Sequence, residues 1–261
     1  MNGQFEDRWK QYRWRLIRGE PVAAAVNHAI DEVLTRRVGA GEREPTLRFW
    51  DRLQPEVVIG RFQSVRNEVD ELAARELDIP ITRRITGGGA MYVEVPNVIT
   101  YSLYVPPDLV AGLSFVESYA FLDDWVIRAL RSLGIDAWYE PINDIASSGG
   151  KIGGAAQARR FGAILHHTTM SYDINSDRML QVLRIGKEKL SDKGIASAAK
   201  RVGPLRLQTQ LPRQTIIERM IQEFADSYGV VDDSLTDDEH AAATNLADNR
   251  YSTDEWTFAI P

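Results

Sequence analysis

The strand-like segments of this chain cluster in its middle, and this clustering constrains the fold more than any other feature. Short runs rich in β-branched and aromatic residues occupy positions 81–85, 91–95, 98–105, 135–139, 151–159 and 163–174. Apolar residues repeat with helical spacing before, between and after these runs, at 22–34, 115–133 and 213–228. We therefore expect an α+β fold in which a mostly antiparallel central sheet is flanked by helices.

Local signals add more specific expectations. The short Pro96–Asn97 break between two strand-like runs predicts a β-hairpin, and hence antiparallel pairing of the two strands. Residues 143–150 are polar and predict a loop. The acidic run Asp232–Glu239 predicts the start of a final helix that ends near Asn249, and a linker helix is expected near Lys187–Leu190.

The chain has 261 residues, and a domain commonly has ~100–200. We expect an N-terminal arm at 1–20, a main domain at 21–230 and a C-terminal helical extension at 231–261 that packs on the same domain. No run approaches the ~18 consecutive apolar residues of a membrane span, and the N-terminus lacks the apolar region of a signal peptide. A cytoplasmic protein without a membrane partner is therefore expected.

The absence of cysteine excludes several kinds of site. Without cysteine there is no disulfide framework, no cysteine-based zinc or iron–sulfur site and no thiol nucleophile. The chain has 31 basic and 37 acidic side chains, which give a formal charge of −6. Because a general nucleic-acid binder usually has a basic surplus, we expect no nucleic acid among its partners.

Three consecutive glycines, Gly87, Gly88 and Gly89, follow a predicted strand. Without side chains they expose backbone N–H groups, which lets a loop approach a phosphate or carboxylate closely. Arg84, just before them, supplies a planar and permanently charged group for the same anion. The segment does not match the dinucleotide-binding pattern, because no third spaced glycine follows. A flexible hairpin loop without a ligand is the alternative interpretation.

A lysine bracketed by two glycine pairs forms the second informative segment. Gly149–Gly150 precede Lys151, and Gly153–Gly154 follow it. Little side-chain bulk surrounds this ammonium, which can therefore reach a ligand that lies against the strand. The segment is not a P-loop, because Ile152 stands where Ser or Thr must hold Mg²⁺. The alternative is an exposed lysine in a bulged strand, although so many glycines weaken a strand.

Two adjacent histidines, His166 and His167, lie in a predicted strand. Adjacent strand residues point to opposite faces, so the two imidazoles cannot both line one site. With four histidines and no cysteine in the chain, a transition-metal centre is not expected. A structural role is the better interpretation for His166. The sequence also lacks Gly-x-Ser-x-Gly, the motif that surrounds a serine nucleophile.

Together these segments resemble the lipoate–protein ligase A family of the biotin/lipoate ligase superfamily. Arg83–Tyr92 is similar to the family's Arg-Arg-x-[Ser/Thr]-Gly-Gly-Gly-Ala-[Val/Met]-[Phe/Tyr] segment, and Lys151–Ala156 to its Lys-[Ile/Val]-x-Gly-[Ser/Ala]-Ala strand. Further similar positions are Asn97, Asn143, Asp144, His166–Thr169, Asp192–Ser197 and Tyr251–Trp256. The resemblance spans residues 14–258.

The resemblance implies an enzyme that joins lipoate to ATP as lipoyl-AMP and transfers the lipoyl group to a lysine of a lipoyl domain. It implies that Lys151 is the catalytic residue, in contact with the acyl carbonyl and the phosphate. ATP and Mg²⁺ are the implied cofactors, with Asp144 as a magnesium ligand. The implied substrate- and adenylate-binding residues are Arg84, Gly87, Gly88, Gly89, Asn97, Asn143, Asp144, His167 and Thr169.

The resemblance also implies partners. The acceptor would be the lipoyl domain of a 2-oxoacid dehydrogenase E2 or the glycine cleavage H protein. Because the chain is itself acidic, recognition of such an acidic domain is expected to use local basic groups such as Arg83, Arg159 or Arg160. Longer family members carry an accessory C-terminal domain, which some short relatives obtain as a separate chain, so the resemblance adds a separate accessory domain as a candidate partner.

One departure from the family pattern and two rival functions stay open. Where the family usually has His-Asp-Leu-Gly-Asn, this chain has Val93–Asn97, so a family histidine is missing. Octanoyl transferases share the fold but form a thioester on a cysteine, which this chain lacks. Biotin ligases carry a Gly-Arg-Gly-Arg-type loop instead. The alternatives are an octanoyl or lipoyl acyltransferase without a cysteine nucleophile and a non-catalytic protein that binds lipoate or its adenylate.

Overall fold

The computed structural model describes residues 7–184 and 202–260. Its strands are β1 (Arg15–Arg18), β2 (Thr46–Trp50), β3 (Glu56–Ile59), β4 (Ile81–Arg83), β5 (Met91–Val93), β6 (Val98–Val105), β7 (Ala137–Glu140), β8 (Asp144–Ser147), β9 (Gly150–Arg160), β10 (Ala163–Ser171) and β11 (Val231–Asp233). Its α-helices are α1 (Ala24–Gly39), α2 (Val65–Glu68), α3 (Glu71–Glu76), α4 (Phe115–Ser132), α5 (Ser176–Val182), α6 (Arg213–Tyr228), α7 (Asp237–Leu246) and α8 (Asp254–Thr257).

The strands form two sheets. The large sheet has the order β11-β1-β2-β6-β10-β9-β8-β7 and is parallel only where β1 pairs with β11 and β2. The small sheet has the order β4-β3-β5. The expected α+β architecture, a mostly antiparallel sheet flanked by helices, is confirmed.

Each face of the large sheet is covered by its own helices. One face packs against α4 and α6 through aromatic side chains such as Tyr101, Trp125 and Phe224. The other face packs against α1 and α7 through residues such as Tyr104 and Leu165. Since side chains alternate along a strand, every central strand contributes to both cores.

Helix α4 shows how local sequence sets an element's ends. Ser114 precedes it, and the Ser114 hydroxyl accepts a 3.2 Å hydrogen bond from the Glu117 backbone N–H. In turn, the Glu117 carboxylate accepts a hydrogen bond from the Ser114 backbone N–H. This reciprocal cap satisfies backbone donors that a helix start leaves unpaired. The helix stops before Gly134, which has a φ of +80° that glycine adopts without strain.

The predicted hairpin at Pro96–Asn97 is wrong. Strand β5 pairs with β3 in the small sheet, whereas β6 pairs with β2 and β10 in the large one. Both edges of β6 are occupied by long partners, and all eight of its residues are buried. The turn therefore carries the chain from the small sheet to the large one. This crossing places the small sheet over one face of the large sheet.

Two other local expectations are corrected. The segment predicted as a polar loop at 143–150 contains strand β8, whose backbone is paired with β7 on one side and β9 on the other. The acidic run begins with β11, which pairs with β1, and helix α7 starts only at Asp237. In both cases a neighbouring strand edge supplies backbone hydrogen bonds that outweigh the polar composition. The expected helix near Lys187–Leu190 lies outside the described residues.

The small sheet has its own apolar cluster, which joins it to α2, α3 and α5. Val57 and Ile59 of β3 are fully buried there against Val69 and Val182. This cluster holds the loop between β4 and β5, which carries the three glycines. No helix within residues 7–184 and 202–260 is both long enough and apolar enough to cross a bilayer.

Candidate active site

A cavity of about 350 Å³ lies between the two sheets. This volume falls in the range of small-molecule sites. Most of the predicted site residues line it, from four separate segments of the chain: Arg84, Gly88, Gly89, Asn143, Lys151, His167 and Thr169. The fold thus brings the glycine loop, the lysine strand and the histidine strand to one place.

The floor of the cavity follows a row of residues across four strands of the large sheet, of which Gly154, Thr169 and Trp50 line the cavity itself. Gly154 of β9 lies beside Thr169 of β10, Thr169 beside Thr100 of β6, and Thr100 beside Trp50 of β2. Residues paired directly across strands share a face, so all four point toward the small sheet. Three strand spacings make this row roughly 14 Å long.

Lys151 lies over the β9 end of the row. Its Nζ is 2.7 Å from Oδ1 of Asp144, and its side chain is 43% exposed. The β8–β9 register shifts where Ile145 pairs with Gly153 and Ala146 with Lys151, so that Ile152 is an extra residue in β9, and this bulge sets Lys151 and Asp144 on one side of the pair. A Cβ at Gly154 would lie 3.1 Å from Nζ, so the glycine leaves room for the ion pair.

The opposite wall is the glycine loop, and Arg84 organises it. Arg84 is buried, and its Nη2 donates to the carbonyl oxygens of Gly87 at 2.7 Å and Gly89 at 2.8 Å. In a planar trans peptide the N–H points away from the C=O, so the Gly88 N–H turns away from the guanidinium. Burial lowers the pKa of Arg84 to about 10, and the group stays cationic at neutral pH.

A second glycine locks the loop in place from outside. A Cβ on Gly60 would lie only 2.1 Å from the carbonyl oxygen of Gly88. The two backbone segments therefore touch directly, and Gly88 has a φ of +88° that favours glycine. Arg61 adds a backbone hydrogen bond of 2.8 Å from its N–H to the Thr86 carbonyl. The loop is held by backbone contacts, which agrees poorly with the alternative of a loosely attached hairpin.

His167 is fixed by hydrogen bonds on both ring nitrogens. Nδ1 lies 2.9 Å from Oδ2 of Asp31, and Nε2 lies 2.8 Å from Oγ1 of Thr86. Burial lowers the pKa of His167, and the Asp31 carboxylate opposes that shift only in part. The imidazole therefore links helix α1 to the base of the glycine loop, and it presents an edge to the cavity.

The other histidine lies on the far face of the sheet, as predicted. His166 is fully buried, and its Nε2 lies 2.6 Å from Oδ1 of Asp123 on α4. Its Nδ1 is 3.2 Å from the Gln157 side chain. His166 is thus a hydrogen-bonded core residue, and the structure separates it from His167 by the thickness of the sheet.

Three predicted site residues are not part of the cavity lining. The side chain of Asn97 donates to Glu94, and its carbonyl accepts from the backbone N–H groups of Tyr172 and Asp173. Asn97 therefore holds the crossing between the two sheets. Gly87 directs its carbonyl to Arg84, and Asp144 reaches the cavity through its ion pair with Lys151.

The expectation of a surface patch that includes Arg83 is wrong for that residue. Arg83 is fully buried, and its guanidinium donates to the backbone carbonyls of Gly60, Gln63 and Thr257. Its position in a β4 strand that α8 covers explains the burial. Arg159 and Arg160 are exposed at the end of β9, as a docking role would need.

Sequence reasoning missed the residues at the β2 end of the cavity. His28, Trp50 and Arg52 line it, and each is almost completely buried. A signal was present in the sequence: the polar pairs Asn27-His28 and Asp31-Glu32 are four residues apart within the apolar stripe of α1. Buried polar side chains at helical spacing indicate a polar site under the helix.

Known proteins share this sequence over most of its length. The chain is 28% identical to octanoyltransferase LipM of an Exiguobacterium species, over 94% of this chain and 98% of that protein. It is 29% identical to lipoate-protein ligase A subunit 1 of Thermoplasma acidophilum, over 94% of this chain and 96% of that protein. These relatives have different activities.

Solved structures share the fold. A bipartite lipoate protein ligase of Thermoplasma acidophilum, studied with its E2 lipoyl domain, superposes with a TM-score of 0.82 at 27% identity, covering 96% of this chain and 98% of that one. A Thermoplasma acidophilum protein with bound lipoic acid gives 0.81 at 27% identity, and a lipoate-protein ligase A bound with ATP gives 0.82 at 27% identity; each covers 95% of this chain and 100% of its own.

The family model of the lipoyl protein ligase A/B catalytic domain matches residues 23–225. The matched range contains the glycine loop, Lys151 and the histidine strand. The chain therefore belongs to the lipoyl protein ligase A/B catalytic domain family.

Proposed function

We propose that this protein is a lipoate-protein ligase, which activates lipoate with ATP to lipoyl-AMP and transfers the lipoyl group to a lysine of a lipoyl domain. One observation carries the proposal. The Lys151–Asp144 ion pair faces a rigid glycine loop across a cavity, and the nearby Arg84 is buried and cationic. Such an arrangement can bind a carboxylate and a phosphate close to each other.

The chemistry explains why such an arrangement is needed. When a carboxylate attacks the α-phosphate of ATP, the bond to the β-phosphate breaks and pyrophosphate leaves. Two negative groups approach each other in this step, and fixed positive and N–H donors must offset the repulsion. The Lys151 ammonium and the Gly88 N–H lie on opposite walls and can contact the same phosphate. In the second step Lys151 polarises the acyl carbonyl while the acceptor amine attacks, and AMP leaves.

The acyl chain would lie along the floor of the cavity. Apolar side chains from both sheets and from α5 wall it, among them Met91, Val98, Ile152, Met179 and Leu183. Burial of an alkyl chain against such walls is favourable by about 0.8 kcal/mol per methylene. The floor is long enough to hold an octanoyl or lipoyl chain extended from Lys151 toward Trp50.

Magnesium would arrive with ATP. Among the side chains that the structure describes, no group of three or more His, Asp or Glu is arranged to hold a metal ion. Mg²⁺ in nucleotide sites is commonly bound by one or two carboxylates together with the substrate phosphates. Asp144 fits that pattern as a single carboxylate at the cavity edge, where it can contact an ion and still orient Lys151.

The acceptor would dock beside Lys151. Ile142 is 61% exposed next to Asn143, and Phe115 is 51% exposed under the guanidinium of Arg159. An apolar patch next to the exposed Arg159 and Arg160 suits an acidic lipoyl domain of a 2-oxoacid dehydrogenase E2 or the glycine cleavage H protein. A separate accessory chain for the activation step is also part of the proposal, because a relative of this length is named as subunit 1 of a ligase.

Acyl transfer from an octanoyl carrier is the second candidate. It is supported by the similarity to an octanoyltransferase, which extends over 98% of that protein. The chain has no cysteine, so a thioester on the protein cannot form, and an acyltransferase would need direct transfer to the acceptor lysine. A non-catalytic protein that holds lipoate or its adenylate would not require the Lys151–Asp144 pair, and we rank it lower.

Mass spectrometry of an acceptor separates these functions. The protein is incubated with a lipoyl domain and one of three donors: lipoate with ATP–Mg²⁺, premade lipoyl-AMP, or an octanoyl carrier protein. Lipoylation in the first reaction supports the ligase, and lipoylation only from lipoyl-AMP supports a ligase that needs an accessory chain. Octanoylation from the carrier alone would replace the proposal with the acyltransferase.

The same assay tests the site. Lys151→Ala is expected to abolish transfer, whereas Lys10→Ala changes an exposed lysine outside the cavity lining and serves as the control. Full activity of Lys151→Ala would show that the catalytic assignment is wrong.

A further inference from the structure

Within the part of the chain that the structure describes, the buried imidazole of His28 makes no hydrogen bond. It is 2% exposed, and neither Nδ1 nor Nε2 has a partner among the residues that the structure describes. The nearest carboxylate oxygen, Oε2 of Glu56, is 3.9 Å from Nε2, which is too long for a hydrogen bond. Buried polar groups are rarely left unpaired, so each such case calls for an explanation.

Glu56 is committed to other partners. Its two oxygens accept hydrogen bonds from Arg52 and from the Thr82 hydroxyl. Arg52 in turn donates to the Thr100 hydroxyl at 3.0 Å. Both Glu56 oxygens thus already accept hydrogen bonds from other groups, and at 3.9 Å neither of them pairs with the imidazole.

His28 lines the same cavity as Lys151 but at its opposite end. The His28 ring lies 6.1 Å from the ring of Trp50, which is the β2 end of the floor. Lys151 lies over Gly154, at the β9 end. The two ends are three strand spacings apart, roughly 14 Å. A chain extended from Lys151 along the floor thus points toward His28.

The cavity lining between these two ends is not purely apolar. Thr169 and Ser171 of β10 line the cavity, and the Ser171 hydroxyl is a second buried polar group without a partner within the described ranges. Burial lowers the pKa of His28 to about 4, against a smaller opposing effect of Glu56. At neutral pH the imidazole is therefore uncharged, with one nitrogen that donates and one that accepts.

We propose that His28 binds a hydrogen-bonding heteroatom near the far end of the acyl chain, so that this site selects substituted acids over plain saturated ones. The inference rests on the proposed function, which places the carboxyl group of the acid at Lys151. A hydroxyl satisfies either imidazole nitrogen, and the sulfur of a dithiolane ring accepts more weakly. An unsubstituted alkyl end leaves His28 unpaired.

Direct binding of free acids tests this without any need for catalysis. Isothermal titration of the full chain with octanoate, lipoate and ω-hydroxyoctanoate, without ATP, gives three dissociation constants. We expect the hydroxy acid to bind about tenfold more tightly than octanoate, with lipoate between them. His28→Leu removes this preference by strengthening octanoate binding and weakening that of the hydroxy acid.

Two further variants keep the test decisive. His28→Asn retains a donor and an acceptor and is expected to keep the preference for the hydroxy acid, even where His28→Leu fails to fold. Met179→Leu changes an apolar side chain of the same cavity and is expected to shift all three affinities by the same factor.

The outcomes separate the two proposals. Equal binding of the three acids by the wild type, or an unchanged ratio in His28→Leu, overturns the role of His28 alone. A His28-dependent preference together with no modification of any acceptor overturns the ligase function alone. If none of the acids binds, the cavity is not an acyl site and both proposals fall.

Discussion

The indole Nε1 of Trp256 donates a 2.8 Å hydrogen bond to the backbone carbonyl of Arg83, 173 residues earlier in the chain. The Arg83 guanidinium in turn donates hydrogen bonds to the backbone carbonyls of Trp256 and Thr257. Helix α8 and strand β4 therefore hold each other, one residue before Arg84. A motif near the C-terminus thus supports the base of the glycine loop.

We expect Trp256→Phe to destabilise the fold by about 1–3 kcal/mol, because it leaves the buried Arg83 carbonyl without a donor. Urea denaturation measures the change in the free energy of unfolding. Trp138→Phe is the matched control: the Trp138 side chain is half-buried, and its indole bonds an exposed glutamate. An equal effect of the two substitutions would contradict the role of the Trp256–Arg83 bond.

Gly60→Ala is expected to displace the glycine loop, since its Cβ would lie 2.1 Å from the Gly88 carbonyl oxygen. The backbone cannot yield as a side chain would, so ATP binding should weaken by at least about tenfold. Equilibrium binding of ATP checks this. Gly87→Ala places a Cβ where nothing lies within 4 Å, and it should weaken binding far less. Tight binding by Gly60→Ala would show that the loop tolerates displacement.

A graded series at Gly154 tests the position of the Lys151 ammonium. A Cβ at this site lies 3.1 Å from Nζ, which a flexible lysine can accommodate, so Gly154→Ala should reduce lipoyl transfer only modestly. The branched side chain of Gly154→Val occupies the place of the ammonium, and we expect a loss of roughly a hundredfold, as for the removal of one transition-state donor. Circular dichroism monitors the fold, and equal rates for the two variants would contradict this geometry.

The unpaired His28 predicts a pH dependence of stability. Its folded-state pKa is lowered to about 4, chiefly by burial, from 6.5 in the unfolded chain. Between these values the unfolded state binds more protons, so stability is complete above pH 6.5 and falls as the pH drops toward 4. The contribution amounts to about 3 kcal/mol.

Denaturation of wild type and His28→Leu across that pH range measures this term. His167, Asp31 and Glu56 titrate in both proteins, so the difference between the two curves reports His28 together with its effect on the pKa of Glu56. The wild type should lose more stability than the variant as the pH falls. Parallel curves would show that the imidazole is not buried neutral.

Regular elements were predicted well where the pattern of apolar residues dominates. Strand β6 and helix α6 have the predicted ends, 98–105 and 213–228, because β6 is a continuous run rich in β-branched and aromatic residues, the helical spacing of α6 is unbroken, and turn residues bound each segment. Pairing partners were not readable in the same way. The hairpin at Pro96–Asn97 looked plausible locally, but strand edges far away in the sequence offered longer ladders.

By itself, the sequence was enough to indicate the family, the glycine loop and the lysine between two glycine pairs, Lys151. Motifs and the absence of cysteine are properties of the chain alone. Only the tertiary structure decided that Arg83 is buried, that Arg84 turns to the loop carbonyls and that His28 faces Lys151 across the floor. Local patterns encode backbone conformation and burial. The partner of a polar side chain depends on which distant segment packs against it. In this chain the packing of the small sheet on the large one determines these partners.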